Sequence, residues 1–192
     1  MALAQTQALL ARLFTDDELR REFFDSPIGV ATRFGLSMHD TQRLAMIDRR
    51  ETEAFAQSLI GKRALYARRA LPLTARAMGD RFDALFRKAI RDPAGDGKDR
   101  GDAAALAALL KMRAMRRELE PLWGADLARF ELAFIEAGRS GAALLLRRFE
   151  YDVASIVDAF AKGEEISAIG KRTFGVWARA PGGRLRWRLF QP

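Results

Sequence analysis

The sequence predicts a mainly α fold: an N-terminal helical bundle over residues 1–140, then a small C-terminal α+β module over 141–192 with an antiparallel β-hairpin. Three observations predict it. Apolar residues recur at helical spacing through the first part, punctuated by helix-start residues and prolines. The period then changes to two in "TFGVWARA" and "RLRWRLF". Between those runs lies Pro181-Gly182-Gly183, a turn signal.

Residues 3–14 read as a helix with Leu3, Leu10, Leu13 and Phe14 near one face. Thr15 with Glu18 three positions on makes a capping box for the next helix, which carries Leu19, Phe23 and Phe24 and ends before Pro27. Ser26 and Pro27 open another helix that Gly35 closes, and Ser37 starts a fourth. From Arg50 to Ile90, residues Phe55, Leu59, Tyr66, Leu73, Met78, Phe82, Leu85 and Phe86 keep helical spacing. Pro72 removes a backbone donor, so two helices are expected to meet near Leu71. "RDPAGDGKDRGD" reads as a loop, followed by helices over about 102–119 and 122–138 separated by Pro121. "ALLLRRFEY" is compatible with a strand or a helix end, and Asp152 is a fitting cap for the short helix "DVASIVDAFAKGE".

Composition excludes much familiar chemistry. With no cysteine, thiolate metal sites and a cysteine nucleophile are ruled out; with one histidine, His39, a histidine cluster or a Ser-His-Asp triad is not expected. His39 reads as a solvated residue in a first helical turn, and Asp16-Asp17 as helix N-terminal charge. "GDGKDRGD" lacks the alternating ligands and closing glutamate of a calcium loop. The pairs Arg68-Arg69 and Arg116-Arg117 read as solvated helix faces. No catalytic residue and no cofactor are assigned to this chain. The N-terminus lacks the basic start of a signal peptide, and no apolar run approaches membrane-spanning length, so the expected location is the cytoplasm.

Net charge is +8, and its distribution is uneven. From Lys171 to Pro192 there are six basic residues and no acidic one, which implies an anionic partner. Pairing across Pro181-Gly182 sets Ala178 opposite Leu185, Val176 opposite Trp187 and Phe174 opposite Leu189 on one apolar face. The other face then presents Trp177 beside Arg186, Arg179 beside Arg184, and Gly175 beside Arg188. Like charges set opposite one another repel, a cost that an acidic ligand would neutralise. Trp177, Arg179, Arg184, Arg186 and Arg188 are therefore the candidate peptide-binding residues, and a free strand edge could add an extended peptide. The alternatives are a solvated arginine face that guards an edge strand, or phosphate contacts by a DNA-binding transcriptional regulator. No helix rich in Arg, Asn or Gln of the kind that reads base edges is evident.

"SLIGKRALYARRALPLTARAMGDRFDALFRKAI", "GADLARFELAFIEA" and "VWARAPGGRLRWRLF" resemble, in that order, segments of a group of bacterial proteins labelled as DNA-binding. Leu132 stands where that group usually has tryptophan. The early "FTDDELRREFFDSPIGVATRFGLSMHDTQRLAMI" is similar to the small helical unit of the extradiol dioxygenase alpha subunit and of some peptide leaders. Members of the group are partner subunits of multinuclear non-haem iron-dependent oxidative enzymes that modify ribosomally made precursor peptides, the methanobactin-forming partner subunit among them. The resemblance implies a subunit that recognises a precursor leader peptide, in a heterodimer whose iron is held by the partner enzyme. It implies that the C-terminal module binds the peptide and that the helical body, including Ala125–Ala137, docks the enzyme.

Overall fold

The computed structural model describes residues 2–90, 98–138, 143–166 and 170–191. Among them ten helices are followed or interleaved by three strands. Helices α1 (Ala2–Thr15), α2 (Asp17–Asp25), α3 (Pro27–Arg33) and α4 (Met38–Ala45) form an N-terminal unit. Its core is Leu9, Leu13, Phe23, Val30, Ala31 and Leu44. The buried stripe of α1 is thus Leu9–Leu13, one turn apart, while Leu3 is exposed. The start of α2 also differs from expectation. Asp16 is the N-cap, its Oδ1 accepting the N–H of Glu18 and Leu19, while the Thr15 hydroxyl turns back to donate to the Ala11 carbonyl. A carboxylate is the better partner for two orphan N–H donors at a positive helix end. Ser37 caps α4 as read, accepting the N–H of Asp40, and Gly35 takes the left-handed conformation after α3.

The long helical stretch becomes three helices, α5 (Arg49–Ala70), α6 (Pro72–Met78) and α7 (Arg81–Ala89). Pro72 makes the first break; Gly79, at φ 52°, makes a second that the apolar spacing concealed. The buried face of α5 is the small one, Ala56, Ile60, Ala64 and Ala67, whereas Phe55 and Tyr66 are largely exposed. Small side chains let α5 approach α8 (Lys98–Met115), which offers Ala103, Leu106, Ala107 and Leu110 in return.

Helix α8 begins earlier than the sequence suggests. "KDRGD" is helical rather than part of a loop, and 91–97 lie outside the described residues. The early start places Asp102 inside the body, where it accepts a two-pronged bond from Arg63 of α5: Nε to Oδ2 at 2.9 Å and Nη2 to Oδ1 at 2.7 Å. This fork raises the pKa of Arg63, chiefly through the hydrogen bond to Asp102.

Helix α9 (Gly124–Ala137) is buried almost all round. Ala125 and Ala128 join the core of α5–α8, while Leu127, Phe130, Ala133 and Ala137 face the C-terminal sheet. Its Glu131 reaches α6, accepting from Leu73 N at 2.7 Å, Thr74 N at 2.9 Å and Thr74 Oγ1 at 2.6 Å. A carboxylate from one helix therefore satisfies the orphan donors at the start of another.

Burial pushes the Glu131 carboxyl above its ordinary range, against the pull of these donors. A raised folded-state value means that the folded chain binds this proton more tightly than the unfolded chain. The contribution favours folding below the unfolded value and is lost as pH rises through the folded one. Glu131→Gln, which sets an amide N–H₂ against these donors, is expected to cost about 1–3 kcal/mol in urea unfolding at neutral pH. The cost should be larger near pH ~4, because the variant lacks the proton uptake that favours the native chain there.

The C-terminal module is a three-stranded antiparallel sheet with α10 (Val153–Lys162) beside it. "ALLLRRF" is a strand, β1 (Ala143–Phe149), which pairs with β2 (Thr173–Arg179), itself central and paired with β3 (Arg186–Phe190). Asp152 caps α10, accepting the N–H of Ser155. The fold is mainly α with a C-terminal hairpin, as the sequence predicts.

Candidate functional site

The hairpin exists, but its register is one residue away from the expected one. Trp177 pairs with Trp187, Val176 with Arg188, Gly175 with Leu189, Phe174 with Phe190 and Ala178 with Arg186. Two-residue hairpins favour turns with positive φ at their first central residue, a conformation that proline at that position cannot adopt. Here Pro181 is followed by Gly182 at φ 70°, with the N–H of Gly183 donating to the Ala180 carbonyl, and the connection takes one residue more. Because side chains alternate along a strand, that one residue turns over every side chain of β3.

The consequence is a redistribution of the five predicted residues. Trp177 is 0% exposed, so it lies in the core rather than on an arginine face. Its ring makes edge contacts with Phe134 and Phe149 and a tilted one with Phe130, at centroid distances of 5.6, 6.4 and 5.9 Å. It also lies over Gly175, where an added Cβ would come within 2.5 Å of the indole. That close approach is the reason for a glycine in the middle of β2. Arg179 shares this inner side, with Nη1 3.4 Å from the Gly138 carbonyl. Arg184 sits exposed in the connection. Only Arg186 and Arg188 share the outer face, and the expected opposition of Arg179 and Arg184 does not arise.

The outer face is a grid of three rows across β1, β2 and β3: Leu144, Ala178, Arg186; Leu146, Val176, Arg188; and Arg148, Phe174, Phe190. Leu144 is 75% exposed, Leu146 64% and Phe190 43%. Arg186 and Arg188 have no carboxylate within salt-bridge distance among the described residues, whereas Arg148 is bound to Glu150 at 2.8 Å. That hydrogen bond lowers the pKa of Glu150. The patch is apolar in the middle and cationic along β3. Sequence reading missed its Leu144 and Leu146 components because it treated the hairpin without β1, and the one-residue register difference is why it set Phe174 on the inner face.

Both outer strands also present open edges. Among the described residues, neither β1 nor β3 has a backbone partner on the side away from β2. Beside the β1 edge runs a groove of about 420 Å³, with Ala104, Ala107 and Ala108 of α8 on one wall and Leu146 and Arg147 on the other. Arg147 is paired with Glu136 of α9. Where β1 ends, Asp126 of α9 anchors the turn, its Oδ2 accepting the N–H of Glu150 at 2.6 Å and Tyr151 at 3.1 Å, while its Oδ1 binds Arg129 at 2.9 Å. Burial nevertheless raises the Asp126 pKa.

Elsewhere the pairs expected on solvated helix faces divide: Arg69 is exposed on α5, whereas Arg116 and Arg117 are exposed in the turn past the end of α8. Arg68 is bound to Asp83 and lies 4.6 Å over the Phe82 ring. Among the described residues there is no group of His, Asp and Glu arranged to hold a metal ion, and no helix long and apolar enough to cross a membrane. Comparison of the chain with protein-family models, curated proteins and solved structures returns no match.

Proposed function

We propose that this chain is a non-catalytic binding subunit that holds the acidic, extended leader of a ribosomally made precursor peptide while a partner iron-dependent oxidative enzyme modifies the peptide's core. The observation that carries the reading is the C-terminal sheet: an exposed apolar face with Arg186 and Arg188 along one side, between two strands with open edges. An open edge supplies backbone hydrogen bonds to an added strand, and side chains beside it supply selectivity. Cations without carboxylate partners favour acidic residues in that strand. In this reading the helical body is the docking platform for the enzyme, and a heterodimer is the working unit. Methanobactin-type or related peptide products belong to the same reading, as does a cytoplasmic location.

The test is co-expression with a candidate iron-dependent oxidative enzyme and a short peptide with an acidic leader, with purification through a tag on this chain alone. An iron-containing complex that retains the peptide is expected. Arg186→Ala with Arg188→Ala should weaken peptide binding about tenfold, since two exposed ion pairs contribute up to roughly 1 kcal/mol each. A chain that ignores peptide and enzyme but shifts duplex DNA, with affinity falling steeply as salt rises, would sink the reading and favour a regulator.

A further inference from the structure

Helix α8 ends in an unusual way. The N–H of Arg117 donates to the Ala114 carbonyl at 3.0 Å, and the N–H of Glu118 to the Arg113 carbonyl at 2.9 Å. This paired closure requires a left-handed residue just past the helix, a position that glycine normally fills. The chain follows that rule with Gly35 after α3 and Gly163 after α10, both at φ 70°. At the end of α8 the residue is Arg117, at φ 58°, the one non-glycine with positive φ among the described residues. A strained residue where two other helix ends of the same kind use glycine calls for a use of its side chain.

Arg117 lines a cleft of about 680 Å³ between the end of α8, α9 and the turn after β1. Leu122, Ala125 and Met115 give the cleft an apolar lining. Four cations border it: Lys111, Arg117, Arg129 and Arg148. Two are already matched, Arg129 by Asp126 and Arg148 by Glu150. Lys111 and Arg117 have no carboxylate within salt-bridge distance among the described residues. The cleft shares Lys111, Arg129 and Arg148 with the groove beside the β1 edge, so the two adjoin. The size of the cleft and its mixture of apolar lining with a few charged groups are those of a ligand site.

We propose that this cleft is a subsite for an acidic side chain carried two residues from an apolar one, and so on the same face, of an extended peptide lying along the open edge of β1. The carboxylate meets Arg117 and Lys111, and the apolar side chain two residues away lies against Leu122 and Met115. The inference rests on the reading of the chain as a peptide-binding subunit, and it names where along the sheet selectivity is exerted.

The probe is a fluorescein-labelled peptide of about ten residues repeating Glu-Ser-Val-Ser, which sets glutamate and valine on one face, bound to the full chain and followed by anisotropy. Its lysine–valine counterpart and free octanoate are run beside it. Arg117→Gly is expected to move two readouts in opposite directions. The melting temperature rises by about 2–4 °C as the strain is released, while affinity for the acidic peptide falls about tenfold. Lys111→Ala lowers affinity similarly, and Arg117→Lys retains most of it. An Arg117→Gly chain that binds as tightly as the parent, while Arg186→Ala with Arg188→Ala does not, overturns the subsite and leaves the peptide-binding reading standing. Absence of any acidic-peptide binding by the parent chain overturns both. Saturation by octanoate with the same Arg117 dependence, and none by peptide, would make the cleft a site for free organic acids and overturn the peptide part.

Discussion

Trp177→Ala is expected to lower the stability of the folded chain by about 3–5 kcal/mol, the usual cost of truncating a fully buried aromatic. The indole is enclosed by Phe130, Phe134, Phe149 and Gly175, and none of these can collapse far into the space left behind. Urea unfolding followed by far-UV circular dichroism measures the loss. Trp177→Phe should cost clearly less. It keeps a ring in contact with the cluster, and it removes a buried Nε1–H that finds no acceptor among the described residues. A Trp177→Ala chain as stable as the parent would show that the ring lies outside the core. Any loss of peptide binding in this variant then has a structural cause, so Arg186 and Arg188 are the cleaner test of recognition.

Arg63→Ala is the second large effect, again about 3–5 kcal/mol. The substitution leaves Asp102, 3% exposed, as a buried carboxylate without its two-pronged partner. The loss belongs to the stranded charge more than to the pair itself. Replacing both residues, Arg63→Met with Asp102→Leu, should therefore recover most of the stability. A thermal or urea double-mutant cycle separates the two contributions. A double variant no more stable than Arg63→Ala would mean that the pair holds α5 against α8 in a way that apolar packing cannot replace.

These two residues also mark where sequence reading succeeds and fails. The change from helical to alternating period announced the hairpin, and Pro72, Ser37 and Asp152 announced helix boundaries that the structure has. Such signals are local, written within a few residues. The strand register was not local. It depended on how the connection around Pro181 accommodates proline and on which tryptophan face meets Phe130, so Trp177 moved from the surface to the core. The face of α5 misled for a related reason. Phe55 and Tyr66 have the larger apolar side chains, yet Ala64 and Ala67 are the ones buried in the core that α8 joins. "KDRGD" has the composition of a loop, and only the distant Arg63 gives Asp102 a reason to be helical and buried. Of the candidate site, the cationic strand β3 was legible as a charge run. The contribution of β1 was not, and a left-handed arginine leaves no mark in a one-dimensional pattern.

Helix α9 supplies side chains to both the helical core and the core under the sheet. A boundary at 140, natural on grounds of residue pattern, would leave the strands without Phe130, Phe134 and Leu127. For inheritance this matters: a recombination event that moved only the last fifty or so residues into another gene would carry a sheet with half its interior missing. The transferable unit has to begin upstream of Gly124 and bring that helix with it. The helix also brings Glu131, whose donors lie on α6, so a unit that begins just upstream of Gly124 would carry that carboxylate away from its donors.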